Sequence, residues 1–305
     1  MIDSIDEEIH TVANQIFDNA EKWIDNNIDY FDLTVTRKNA DDELKFKSFI
    51  ELLFMFDIFY PKNLFTPDIN KKIVKLEEKV VKNVSFSSYF LNDPILVSGI
   101  QETITFNKNN QMISQYNNEK QHFESMINGG LDILAPRTPY RLLDSRYSME
   151  KAGLDNNLKS KEFYYNLTVL NDENFNYLYL SDNSAYSITH TLFYITDMGR
   201  EQPPYLDVTR INNILYTMLI FYLCKKNMDI LGETLLSLFF VNLNLSKMNK
   251  KLVLSSLKII EKNQNEKGYI YSPRHLNDDT LSQEQQFFEN YHTTMVGLGA
   301  AYVFK

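Results

Sequence analysis

The chain has 305 residues, with 31 Lys plus Arg against 40 Asp plus Glu, a net charge of −9, and 44% apolar residues including 21 Phe and 19 Tyr. The length exceeds that of a usual single domain, although a closed helical ring reaches it as one, and the apolar content excludes a disordered chain. The negative charge opposes attraction to polyanions, which argues against nucleic acid and an anionic membrane as partners, while 9 Gly and 8 Pro are too few for the many tight turns of an all-β or α/β chain.

Helices are therefore expected throughout. Ile5, Ile9, Val12, Ile16, Trp23 and Ile28 recur at helical spacing and predict a long amphipathic first helix. Phe46, Phe49, Ile50, Leu53 and Phe54 repeat the pattern up to Tyr60-Pro61, where proline disfavours continuation. Thr66-Pro67-Asp68 is a start signal: a hydroxyl cap, a proline whose missing N–H costs nothing in the first turn, and an acid favoured by the helix dipole. The third helix runs to about Asn83, with Lys71, Lys72, Lys75, Lys79 and Lys82 on its wet face. Asp93-Pro94 repeats the start before Ile95, Val97 and Ile100, and Thr138-Pro139 does so before Leu142, Leu143 and Tyr147. The Asn-rich stretches Asn107 to Asn118 and Leu154 to Asn174 read as loops or frayed helices.

In the second half, Ser184 to Met198 forms a helix ended by Gly199, a left-handed cap, with Pro203-Pro204 preventing resumption. Asp207 caps a helix carrying Val208, Ile211, Leu215, Met218, Leu219 and Tyr222; the chain turns near Lys225-Lys226-Asn227, and Met228 to Phe240 returns antiparallel. Asn249 to Lys262 and about Gln283 to Phe304 complete the set. A single cysteine, Cys224, excludes an intramolecular disulfide and fits a reducing compartment; its apolar setting reads as a buried thiol. The acidic N-terminus lacks a secretory core, and the longest apolar run, Ile214 to Cys224, is too short to span a bilayer, so a cytoplasmic location is expected. About ten to twelve helices on short connectors without a fixed period suit an irregular ring better than a regular solenoid. The expected architecture is all-α, an αα-toroid of antiparallel helix hairpins in one domain over residues 1–305.

Glu261-Lys-Asn-Gln264-Asn-Glu-Lys-Gly268-Tyr269-Ile270, followed by Asn290-Tyr-His292-Thr-Thr-Met-Val-Gly297-Leu-Gly-Ala-Ala, resembles the helix, Gln-x-x-x-Gly-aromatic turn, next-helix unit of αα-toroid proteins, among them terpenoid cyclases and related six-hairpin enzymes. The catalytic acid motif of terpenoid cyclases is absent, so their chemistry is not carried over. Thr138-Pro-Tyr-Arg141-Leu-Leu-Asp-Ser-Arg146-Tyr, Tyr186-Ser-Ile-Thr189-His190-Thr-Leu-Phe-Tyr-Ile-Thr-Asp197-Met-Gly199 and Tyr291-His292-Thr-Thr resemble motifs of an uncharacterised bacterial family. That resemblance implies a setting in specialised metabolism, since members stand beside natural-product genes, and implies no mechanism.

Seven residues separate His190 from Asp197, so on one helix they differ by about 20° in direction and line one cavity wall, with Tyr186, Phe193 and Tyr194 beside them. His292, next to Tyr291, sits on another helix; if both helices face a common centre, His190, Asp197 and His292 converge as a catalytic trio. Such a trio suits a divalent metal with open positions, or acid–base chemistry without one. The competing reading makes each histidine a core residue bonded to a hydroxyl such as Thr189 or Thr293. Arg141 could clamp a substrate carboxylate or phosphate, with Tyr186, Tyr194 and Tyr291 as further binding residues, or form a surface ion pair with Asp144. His10, His122 and His275 are assigned to solvent. No cofactor fingerprint, phosphate loop or nucleophile elbow is present. The leading expectation is a protein, enzyme or enzyme-like, that acts on a small molecule or peptide in an aromatic centre; the alternative is a non-catalytic helical scaffold with a protein partner.

Overall fold

Capping chemistry sets the helix boundaries in the described residues, which in this computed structural model are 4–37, 40–83, 97–110, 117–134, 137–176, 179–241, 247–274 and 280–305. Among them the fold is all-α, as expected, and contains no strand; the only extended pairing there is an isolated antiparallel bridge between Gln264 and Ile270. No helix in them is long and apolar enough to cross a membrane. The contacts divide the chain into two compact units, one of residues Met1–Tyr30 with Glu173–Lys305 and one of Phe31–Asp172.

The first unit holds α1 (Ser4–Asn26), α9 (Asp182–Ile195), α10 (Val208–Lys225), α11 (Met228–Phe240), α12 (Lys247–Lys262) and α13 (Gln283–Tyr302). Asp207 accepts from Arg210 N to start α10, and Lys226, in left-handed backbone at φ 55°, ends it. Asn227 then accepts from Ile230 N to start α11, so one tight turn closes the hairpin. Ser282 and Gln285 form a reciprocal capping box at α13. α11 packs against α9, α10, α12 and α13. All but one of its residues are buried, Phe239 being the exception, so the helix is enclosed on every side.

α1 is held against α12 and α13 by the loop that joins those two helices. Gln264 Nε2 donates to Ile16 O at 3.1 Å and to Gly268 O at 2.8 Å, while Gly268 adopts φ 104° against the backbone of Asn19. Trp23 then stacks on Phe287 at 5.6 Å, and Phe287 on Tyr291 at 5.6 Å, making an aromatic core.

The second unit comprises α2 (Asp42–Asp57), α3 (Pro67–Asn83), α4 (Val97–Asn109), α5 (Asn117–Asn128), α6 (Leu131–Leu134), α7 (Pro139–Ala152) and α8 (Lys161–Tyr165). Pro139 occupies the first turn of α7, and Gly153 at φ 71° ends that helix. α4 packs between α2 and α7 with an unusually polar interior: Gln101, Glu102, Thr103, Thr105 and Asn107 are all buried. Asn107 Nδ2 satisfies Glu77 Oε1 at 2.5 Å, and Asn109 Nδ2 satisfies Asp57 Oδ1 at 2.9 Å.

One expectation needs correction, and two stretches expected as loops or frayed helices gain definite helical bounds. Cys224 is exposed, because the buried stripe of α10 runs through Ile211, Leu215, Met218, Leu219 and Tyr222, which leaves Cys224 on the outer side with Ile220 and Phe221. The Asn107 to Asn118 stretch is helical at both ends, since α4 continues to Asn109 and α5 begins at Asn117. Within Leu154 to Asn174, Ser160 caps the short α8 by accepting from Phe163 N. Asp93-Pro94 and His275 lie outside the described residues, as does the side chain of His122; His10 is exposed.

Candidate functional site

Met228-Asp-Ile-Leu-Gly-Glu-Thr-Leu places two acids four apart, on one face of α11 and one turn from each other. Because that helix is enclosed, both carboxylates are taken out of water: the side chains of Asp229 and Glu233 are each 5% exposed. Buried carboxylates require partners. α9 and α13 supply them.

From α9, Tyr186 Oη donates to Asp229 Oδ2 at 2.5 Å and Thr189 Oγ1 donates to Glu233 Oε2 at 2.5 Å. His190 Nε2 lies 3.3 Å from Glu233 Oε1. From α13, His292 Nε2 lies 3.2 Å from Asp229 Oδ1. Each carboxylate therefore has one oxygen tied to a hydroxyl and the other turned to an imidazole. The imidazoles are the more accessible part of the cluster, with side-chain exposures of 18% for His190 and 35% for His292.

Electrostatics follow from this enclosure. Burial alone would raise the Asp229 carboxyl, but His292, the Tyr186 hydroxyl and His190 outweigh it and hold the group below the usual carboxylate range. Tyr186 shifts the other way: burial, then the charge of Asp229 and the hydrogen bond to it, push its phenol far up, so it remains a donor. Aromatic rings surround His190, with Phe193 stacked at 5.8 Å, Tyr186 at 5.9 Å and Tyr194 at 6.1 Å. Asp229, Glu233 and His292 each present one donor atom within 4.8 Å of the others, a set able to hold a metal ion.

The structure brings His190, His292 and Tyr186 to one pair of acids and places Tyr194 beside His190. Asp197 has a different setting. α9 stops at Ile195, and Asp197 follows in left-handed backbone at φ 48°, where its carboxylate meets Arg200 Nη1 at 3.3 Å. Positions 190 and 197 share a face only on an unbroken helix, and this one ends between them. Tyr291 is 2% exposed and stacks on Phe287 in the core. Arg141 belongs to α7 of the second unit, where it reaches Asp144 at 3.4 Å and lies over the Tyr140 ring. Asp229 and Glu233 were missed by sequence reasoning; the available signal was a pair of acids at helical spacing within an otherwise apolar segment.

No curated protein and no solved structure matches the chain. A family profile does, over residues 17–302, a span that includes every residue of the cluster. The chain belongs to the family described as Domain of unknown function (DUF6895).

Proposed function

We propose that this protein binds and acts on a small molecule or short peptide at the His190–Glu233 and His292–Asp229 pairs. The observation that carries the reading is the division of the cluster into buried carboxylates and more exposed imidazoles, an arrangement that leaves the two rings as the face an incoming ligand would meet. A carboxylate behind an imidazole fixes its ring and favours its proton-accepting role, and the rings of Tyr186, Phe193 and Tyr194 offer apolar contact around His190. An αα-toroid arrangement and a cytoplasmic role in bacterial specialised metabolism complete the proposal, supported by the Gln264 to Ile270 turn, the motifs around positions 141, 190 and 292, and the lone cysteine.

The test is a thermal-shift screen of the purified chain against metabolites and short peptides, with mass spectrometry for co-purifying ligand. The expected result is a ligand that raises the melting temperature of the wild type but has lost that effect in His190→Ala and His292→Ala. A response unchanged in both variants removes the proposal. The second reading, a non-catalytic scaffold that docks a protein partner, is favoured by the exposed apolar residues Ile220 and Phe221 on α10. Association with a partner that is lost in Phe221→Glu, without any ligand response at the histidines, would select it.

A further inference from the structure

We infer that Asp229, Glu233 and His292 form a site for a divalent transition-metal ion of the zinc, manganese or iron class. The inference rests on reading this cluster as the working centre and names the ion that centre would hold.

Four observations converge on it. Asp229 and Glu233 are buried on a helix that carries no basic residue, and one divalent cation balances both charges. Asp229 Oδ1 is buried and receives no hydroxyl or amide donor; what faces it is His292 Nε2, 3.2 Å away. A charge-assisted hydrogen bond between such groups would draw them to about 2.7–2.9 Å. Two donors each about 2.0–2.2 Å from a shared ion sit roughly 3.0–3.4 Å apart at near-octahedral or tetrahedral angles, and 3.2 Å falls in that interval. The hydroxyls of Tyr186 and Thr189 each occupy the far oxygen of a carboxylate, Oδ2 and Oε2, as outer groups do when they orient metal-binding acids.

The donors select the class of ion. One imidazole with carboxylate oxygens suits zinc, manganese or iron, whereas calcium and magnesium prefer all-oxygen surroundings and copper(I) prefers sulfur. Three protein ligands leave positions for water or a substrate oxygen, and the exposure of His292 places them on the accessible side of the cluster. His190, beside Glu233 Oε1, remains outside the ligand set.

The test is isothermal titration of the full chain, freed of metal by chelator, with zinc, manganese, magnesium and calcium chlorides. The wild type is expected to bind one zinc or manganese ion per chain in preference to magnesium and calcium. His292→Ala, at the more exposed ligand, and Asp229→Asn should each weaken binding by about 100-fold or more. Failure of the wild type to bind, or equal affinity in wild type and His292→Ala, overturns the inference. If Asp229→Asn does not fold, cobalt(II) decides: visible absorption bands present in the wild type and lost in His292→Ala support the site, and identical spectra overturn it. A chain that binds no ion but shows a histidine-dependent ligand response keeps the proposed function and loses the metal. Histidine-dependent ion binding without any ligand response does the reverse.

Discussion

Tyr186 Oη donates to Asp229 Oδ2 across 2.5 Å, so a phenol on α9 anchors a carboxylate on a helix that has no cation of its own. The opposite shifts of the two groups keep the proton on the tyrosine. Tyr186→Phe leaves that oxygen buried without its donor and is expected to cost about 1–3 kcal/mol. Urea unfolding measures the loss; an unchanged midpoint would show that the hydroxyl contributes nothing to holding α9 on α11.

Asp32 tests the second unit. Burial favours its neutral form, but bonds from Lys79 Nζ at 2.5 Å, Thr34 Oγ1 at 2.7 Å and Thr34 N at 2.8 Å outweigh that and hold the carboxyl below 3.8. A lowered acid stabilises the fold above its ordinary value, and the gain fades as pH falls through the lower folded value. Asp32→Ala is expected to cost about 1–3 kcal/mol at neutral pH, and the gap from wild type should close below pH 3.8. A gap independent of pH would mean the side chain acts by packing alone.

Glu102 has the opposite sign. Its burial in α4, reinforced by the nearby Asp57 and Asp144 carboxylates, raises it well above 4.5. Folding then favours the protonated form above pH 4.5, and stability falls as pH rises from 4.5 toward the raised value. Glu102→Gln keeps the neutral shape, so the variant should melt higher than wild type at neutral pH and show a flatter dependence above pH 4.5. Melting curves that run parallel at all pH values would contradict this.

Gly268 and Gly153 offer a paired backbone test. A Cβ at Gly268 would stand 2.2 Å from Asn19 O at a φ of 104°, whereas at Gly153, φ 71°, its nearest neighbour is Lys108 Nζ at 3.7 Å. Gly153→Ala is expected to cost about 1–2 kcal/mol from the left-handed backbone alone. Gly268→Ala should cost more than about 3 kcal/mol, because the strain adds to displacement of α1. Equal denaturant midpoints would refute the close approach.

Local chemistry made much of the fold readable. Asp207, Asn227, Ser282 and the Thr138-Pro139 pair act within a few residues of themselves, so their meaning survives without knowledge of what packs nearby. The cluster was half legible. His190 and His292 announce themselves by residue type, but their partners depended on which helix lies between them, and that is a tertiary fact. Asp229 also sits in the first turn of α11, where an acid has an ordinary dipole explanation. Asp197 misled because Thr196 ends α9, its hydroxyl bonding back to Leu192 O at 2.7 Å, just before the residue whose direction was being inferred. Cys224 misled because apolar neighbours along α10 include Ile220 and Phe221, which face outward.

The first unit is interrupted in the chain by the whole of the second, since α1 joins residues 173–305 only after residues 31–172 have been made. During synthesis at about 5–20 residues per second, α1 waits roughly 14 to 55 seconds for α12 and α13 to be completed. The intervening segment can meanwhile collapse on its own. Asp229 and Glu233 likewise leave the ribosome before His292, so the last helix to arrive both closes the core over α1 and completes the set of groups around the two acids. Ribosome-bound chains halted before position 283 should therefore remain open to proteolysis at α1, while the middle segment is already protected.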